Sequence, residues 1–270
     1  MFGRNKKKFV TNPFLYVEDV IKEADVVIFN LETVVSTEHI SDSYKEHKTF
    51  NFLSNGEPLL SLRDITNKPI FTAIANNHSL DYGLLGLLHT KHFLREQKIH
   101  YTVKNRAIHR NNVCFINATD HCSCNNPNTW AEHIWIIDYK NLKPIIQKIK
   151  NLSKRAKNNN EILIFSIHWG SNWLTHIPRK MKRFGRMLID NGVDIVFGHS
   201  AHHIPPTPIE FYKQGLIIYG LGDFVNDYAI KHEYKSNNAM MCIVDTEHLT
   251  TNLIQVEREF VNQSSIPKVI

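Results

Sequence analysis

The sequence predicts an α/β fold on two observations. Short runs rich in Val, Ile and Phe alternate with segments of helical period, and each of the main runs ends at polar residues. At 270 residues and 42% hydrophobic content the chain can close a large core, and one domain over 1–270 is expected. No apolar run reaches the length of about eighteen residues that spanning a membrane requires. Residues 1–10 are basic and lack the apolar stretch of a secretory signal. A cytoplasmic chain is therefore expected as the sequence stands, with membrane association only if further sequence precedes Met1.

In chain order, a helix over 13–23 leads into a strand over 26–30. Residues 33–49 are polar, charged and aperiodic, which predicts a long loop over a site or a mobile lid. Then come a strand at 70–75, a helix at 84–97, a strand at 113–117, a helix at 142–157 closing in the Asn-rich 158–160, and a strand at 162–167. A helix over 178–190 follows, its Met181, Phe184 and Leu188 at helical spacing forming a core stripe, and then a strand at 194–198. Runs at 208–211, 216–219 and 239–244 read as hairpin strands.

The net charge of +6 is spread along the chain, and Lys6, Lys7 and Lys8 form the only dense basic run, so nucleic acid is not an expected partner. Cys114, Cys122, Cys124 and Cys242 are too few for a disulfide scaffold, and reduced thiols are expected. Cys122 and Cys124 with His121 and His133 have a zinc reading, but the cysteine offset is tighter than structural zinc sites use, and a polar loop is preferred.

The residues at or just past the strand ends are Asn30-Leu31-Glu32, Asn76-Asn77-His78, Thr119-Asp120-His121, His168-Trp169-Gly170, and His199 with His202. In an α/β sheet the carboxyl ends of parallel strands share one edge, so these groups converge although distant in sequence. Each has a plain alternative alone: Glu32 as a helix cap or surface charge, Asn77 as a turn residue, His168 as a core imidazole bonded to a carbonyl. Gly198 ahead of His199 and His202 permits close backbone approach to a ligand. Together the oxygen and nitrogen donors suit a divalent metal, Mn, Zn or Fe, as one or two ions.

These residues carry a resemblance. Asn30-Leu31-Glu32, the run from Ala75 through Asn76-Asn77-His78 and Asp81 to Gly83, His168-Trp169-Gly170, Gly198-His199-Ser200-Ala201-His202 and Tyr219 to Phe224 are similar to the successive motifs of the bacterial CapA family of poly-γ-glutamate capsule synthesis. That family resembles the calcineurin-like metallophosphoesterases, which implies a four-layer α-β-β-α sandwich with two metals at the strand ends. The resemblance implies that Glu32 bridges the metals, that Asn77, His168 and His199 hold the second, that His202 helps hold the first, and that His78 acts on the leaving group. Asp81 either orients His78 or caps a helix.

Two departures stand out. The stretch 203–208 is longer and richer in proline than the family pattern before Glu210. The strand ending in Gly-Asp with which the family begins, whose Asp ligates the first metal, is absent ahead of Met1, so the sandwich as given lacks its first strand. One tight ion is then expected, and two would require Asp120 or Asp223 to replace that Asp. The implied function is metal-dependent hydrolysis of a phosphoester or related bond. The alternative is a non-catalytic component of capsule polymer assembly or export. Expected partners are an anionic small-molecule or polymer substrate and a capsule-synthesis complex, with Arg4, Lys45 and Lys48 as candidate contacts to the anion.

Overall fold

The structure, a computed structural model, describes residues 12–121, 127–226, 230–261 and 264–270. The readings placed on Arg4, Lys6 to Lys8, Cys122 and Cys124 lie outside them.

A 3₁₀ turn at Leu15–Val17 runs into α1 (Glu18–Glu23), then β1 (Val27–Asn30), β2 (Val34–Val35), β3 (Leu53–Ser54), α2 (Glu57–Ile65), β4 (Ile70–Ala73) and α3 (Gly83–Glu96). There follow β5 (Ile99–Tyr101), β6 (Ile108–Arg110), β7 (Val113–Thr119), α4 (Pro127–His133), α5 (Lys143–Asn158), β8 (Ile162–His168), α6 (Arg179–Asp190) and β9 (Ile195–His199). The chain ends with β10 (Ile209–Tyr212), β11 (Gly215–Ile218), β12 (Asn238–Asp245), β13 (Thr250–Val261) and β14 (Ser264–Val269). The α/β class is as predicted, with mixed sheets. β1, β4 and β5 form a parallel sheet in the order β1-β4-β5, and six strands form another in the order β10-β11-β9-β8-β7-β6. In the latter β11, β9, β8 and β7 are parallel, while β10 and β6 are antiparallel edges. β12, β13 and β14 make an antiparallel sheet, and β2 pairs briefly with β3.

The strands are apolar on both faces, as parallel strands buried on both sides must be. Cys114, Ile116 and Ala118 of β7 and Leu163, Phe165 and Ile167 of β8 pack with Ile145 and Ile149 of α5 and Phe184 and Leu188 of α6. The alternate residues, Val113, Phe115, Ile164 and Ile195, instead meet Phe71 and Ala73 of β4, so the six-stranded sheet and the smaller β1-β4-β5 sheet face one another. On the outer side of the smaller sheet, Leu59 and Leu62 of α2 and Leu87 and Leu94 of α3 pack with Ile70, together with Ala239 and Val256 of the C-terminal sheet. Near the carboxyl ends the facing row turns polar, with Asn117 and Thr119 on β7, Ser166 and His168 on β8, and His199 on β9.

The segment 33–49 is anchored at its start by a short strand. Val34 and Val35 are fully buried, and the backbone N–H of Val35 donates to Thr90 Oγ1 of α3 at 2.9 Å. Two adjacent valines are too short a run to show a period, yet they pin the segment's start. The strands leading to the site also run further than expected, β7 to Thr119, β8 to His168 and β9 to His199, whereas β4 stops at Ala73.

Candidate metal centre

Parallel register sets the floor of the site. Thr119 pairs with His168, and His168 with His199, so three neighbouring strands present these residues in one row. His168 Nδ1 lies 3.2 Å from His199 Nδ1, and Ser166 Oγ is 3.0 Å from His199 Nε2. Burial drives the His199 imidazolium down to about 3. Burial, and then the neighbouring His199 and His121, hold His168 well below the ordinary histidine value. Both rings are thus neutral near pH 7 and carry lone pairs.

Glu32, just beyond β1, reaches this row from the opposite sheet, with Oε2 3.7 Å from His168 Nδ1. Asn30 Nδ2 donates to the same oxygen at 3.0 Å. Burial raises the Glu32 carboxyl, against the pull of His202 and His78. Asn76 ties this strand end to the next. Its Nδ2 donates to Asn30 Oδ1 at 3.0 Å and Leu31 O at 2.8 Å, while its Oδ1 accepts the His78 N–H at 3.1 Å. Asn77, half-buried beside it, accepts Lys48 Nζ at its backbone carbonyl at 2.7 Å.

His78 and Asp81 are brought together. Asp81, with no exposed surface, accepts the Phe52 N–H at 2.5 Å on Oδ2, which lies 2.7 Å from His78 Nδ1, and its Oδ1 pairs with Lys48 Nζ. Helix α3 starts after Tyr82 with no side-chain cap, so Asp81 serves the imidazole and not the helix. Lys48 is occupied by this carboxylate and by Asn77, and Lys45 pairs with Asp42 at 2.7 Å, so in this structure both engage protein groups.

His202 stands on the turn after β9. Its Nδ1 lies 2.9 and 3.1 Å from the two Asp223 oxygens, and its backbone N–H donates to Asn172 O at 3.0 Å. Burial pulls the His202 imidazolium down, but the Asp223 carboxylate outweighs it and raises the value. Burial raises Asp223, but His202 and Arg258 hold it down at about 2. Ser200, between the two histidines, has φ +123°, a region that costs an L-residue about 1–3 kcal/mol. Gly198 has a packing reason to be glycine: a Cβ there would collide with the Trp169 indole and the Ile218 carbonyl.

His168, His199 and Glu32 carry donor types that a divalent ion takes. The neutral imidazoles of His168 and His199 turn nitrogens towards each other, and the Glu32 carboxylate lies 3.7 Å from His168 Nδ1 alone, in a place where burial opposes ionising it. Two ligands each about 2.1 Å from one ion lie roughly 3.0–3.4 Å apart, the spacing of the His168 and His199 nitrogens. A cation there would favour the Glu32 anion and bind both lone pairs. A different group closes more tightly. His109, Cys114 and Glu161 offer one ligand atom each, all within 4.8 Å of one another, and it is the group of three that does so among the described residues. It sits at the amino ends of β7 and β8, away from His168, where His109 Nδ1 is 2.7 Å from Glu161 Oε2 and burial pushes the Cys114 thiol up to about 12.

Sequence reasoning gave Ser166 no role, and it placed Asn76 and His121 at strand ends without naming either among the ligands of this centre. The His121 ring centroid is 5.2 Å from that of His168, and its Nδ1 is 2.8 Å from Asp120 Oδ1. The signal for His121 was its place after β7; Ser166 was signalled only by being a hydroxyl two residues before His168 on the same face.

Comparison with known proteins places these features in context. A family model described as bacterial capsule synthesis protein PGA_cap matches residues 2–228. Over 253 residues the chain is 29% identical to a probable polyglutamine synthesis accessory protein of Mycobacterium tuberculosis, covering 86% of this chain and 64% of that protein. It is 26% identical over 245 residues to the capsule biosynthesis protein CapA of Bacillus anthracis, covering 84% and 58%. To the PGA biosynthesis protein CapA of Bacillus subtilis it is 25% identical over 253 residues, covering 84% and 61%. The chain thus spans less than two thirds of the length of these relatives. Among solved structures, TT1561 of Thermus thermophilus aligns at a TM-score of 0.48 with 9% identity, covering 90% of each chain. Among the described residues no helix is long and apolar enough to cross a membrane.

Proposed function

The chain belongs to the bacterial capsule synthesis family PGA_cap, and from that premise we propose that it is a metal-dependent hydrolase of a phosphoester or related bond, acting in poly-γ-glutamate capsule synthesis. The observation that carries this reading is the buried pair of neutral imidazoles, His168 and His199, facing each other beside Glu32. The names of the relatives, which refer to capsule, PGA and polyglutamine synthesis, support the biological setting. The two facing sheets with helices packed outside them support a four-layer α-β-β-α sandwich of the metallophosphatase type.

Glu32, Asn77, His168, His199 and His202 would hold the metal. A divalent ion held there supplies Lewis-acid stabilisation of the charge that develops on the transferred group. His78 donates a proton from Nε2 to the leaving oxygen, while Asp81 keeps the Nδ1 proton and orients the ring. Lys48 fastens the 46–52 segment to Asp81 and Asn77, so the wall beside His78 is fixed before substrate arrives. The substrate is an anionic small molecule or polymer.

A second reading, a non-catalytic component of capsule polymer assembly with a degenerate site, is favoured by one observation. Among the described residues the group whose ligand atoms close within 4.8 Å is the one at His109, not the one at His168. Chelator-stripped protein titrated with Mn²⁺ and Zn²⁺, with metal content and hydrolysis of aryl phosphate mono- and diesters measured, separates the two. Under the hydrolase reading His168→Ala and His199→Ala lose the metal, while His78→Ala keeps it and turns over about a hundredfold more slowly. Metal uptake without hydrolysis supports the second reading. Uptake unchanged in both His168→Ala and His199→Ala overturns the site.

A further inference from the structure

We propose that Asp223 is the positioning residue of this centre: its carboxylate grips His202 by Nδ1, so that the lone pair of the neutral ring stands on Nε2 for a divalent ion, and a buried arginine of the C-terminal sheet braces that grip. The inference rests on the metal-centre reading of His202 and places Asp223 behind that ligand, where the sequence had offered it only as a substitute ligand.

The geometry begins at the imidazole. Both Asp223 oxygens lie within 3.1 Å of His202 Nδ1, and an ionised carboxylate only accepts hydrogen bonds, so the proton of the neutral ring resides on Nδ1. A carboxylate behind a metal-binding histidine fixes tautomer and ring orientation and strengthens the donor nitrogen. The ring is further confined by Trp173, whose centroid is 5.6 Å away, and by the backbone bond to Asn172.

Asp223 is itself held. Asn226 Nδ2 donates to its Oδ2, and the Asn226 backbone carbonyl accepts Arg258 Nη1 at 2.7 Å. Arg258 is 3% exposed in β13 and also donates from Nη2 to the Ser236 carbonyl. Gly222 presses on the same sheet, since a Cβ there would meet the Asn238 carbonyl. Arg258 and Asn238 lie beyond residues 2–228, the part that the family model matches. A sheet beyond the residues that the family model matches therefore braces a ligand within them.

Two measurements test this on the 270-residue chain. In the metal-free protein at pH 9, ¹⁵N–¹H correlation spectra of labelled histidines, with His202 assigned from His202→Gln, should show His202 with its proton on Nδ1. In Asp223→Asn and Asp223→Ala that tautomer should decline, and Mn²⁺ and Zn²⁺ affinity should fall by about 10–100-fold, less than in His202→Ala. Asp223→Asn nearly preserves volume and keeps the test alive if the alanine variant does not fold. A wild type that takes up metal, with Asp223→Asn binding as tightly and an unaltered His202 tautomer, overturns the inference alone. A loss in Asp223→Asn as complete as in His202→Ala makes Asp223 a ligand and also overturns it. A wild type that takes up no ion defeats the metal reading, and the positioning role with it, whatever the tautomer shows.

Discussion

Replacing Asp81 with Ala should cost far more stability than its size suggests. The carboxylate has no exposed surface and serves the Phe52 N–H, His78 Nδ1 and Lys48 Nζ together. Stranding a buried N–H costs about 1–3 kcal/mol. Breaking a fully buried ion pair costs about 3–5 kcal/mol, but the Lys48 side chain is 16% exposed, so water reaches the ammonium and the lower end applies. A total of about 4–6 kcal/mol follows, a large part of the roughly 5–15 kcal/mol that stabilises an ordinary domain. Urea unfolding followed by both far-UV circular dichroism and tryptophan fluorescence reads it, coincident curves establishing the two-state case. Because Lys48→Met removes the stranded charge, the double variant should recover about 1–3 kcal/mol relative to the sum of the single ones. A loss below about 1 kcal/mol for Asp81→Ala, or strict additivity with Lys48→Met, would refute the account of Asp81 as the clamp between the 46–52 segment and His78.

Stability of the metal-free protein should fall as pH drops below about 6.5. His199, depressed to about 3 by burial, and His168, depressed for the same first reason, stay neutral in the folded chain while the unfolded chain takes up their protons. Their contribution is thus complete above the unfolded value and lost towards the folded one. Glu32 and His202 are shifted the other way, but the contribution of His202 is already largely in place at the unfolded histidine value near 6.5, so below it chiefly the one Glu32 carboxyl opposes two imidazoles. Urea midpoints in chelator that stay level or rise between pH 6.5 and pH 5 would contradict this. Gly198→Ala should lose about 1–3 kcal/mol, since the Ile218 carbonyl belongs to β11 and cannot withdraw. The thermal midpoint should fall by about 2–4 °C for each kcal/mol, and an unchanged midpoint would count against the close contact with Trp169.

The core strands were legible because both their faces are apolar and their ends are not. Runs such as 162–167 stop at His168, and that change from Ile164 to Ser166 and His168 along one face is the site announcing itself in sequence. Short elements were not legible: β5 and β6 have three residues each, too few for a period, and α2 spans nine with a proline in its first turn. β13 was hidden because Arg258 falls in the same alternating row as Ile254 and Val256, and a buried arginine satisfied by carbonyls of residues 226 and 236 reads locally as a break in the strand. Lys48 read as a candidate contact to an anionic substrate for a similar reason: its partner Asp81 is distant in the chain, and no local pattern records the pairing. Asp223 was visible only as a motif position, since its bond to His202 exists only once β9 and the segment after β11 lie side by side.

The row of Thr119, His168 and His199 divides the candidate ligands into two mechanical classes. The gap between the two histidine backbones is the spacing of adjacent strands, about 4.8 Å, and the peptide ladder sets it independently of rotamers. Glu32, Asn77 and His202 stand instead on connections beyond strand ends. A change of ionic radius would leave the first class still and be absorbed by the second. The sheet acts as a fixed jaw and the loops as the adjustable one, so mutational tuning of metal preference should concentrate in residues 31–32, 76–77 and 200–203.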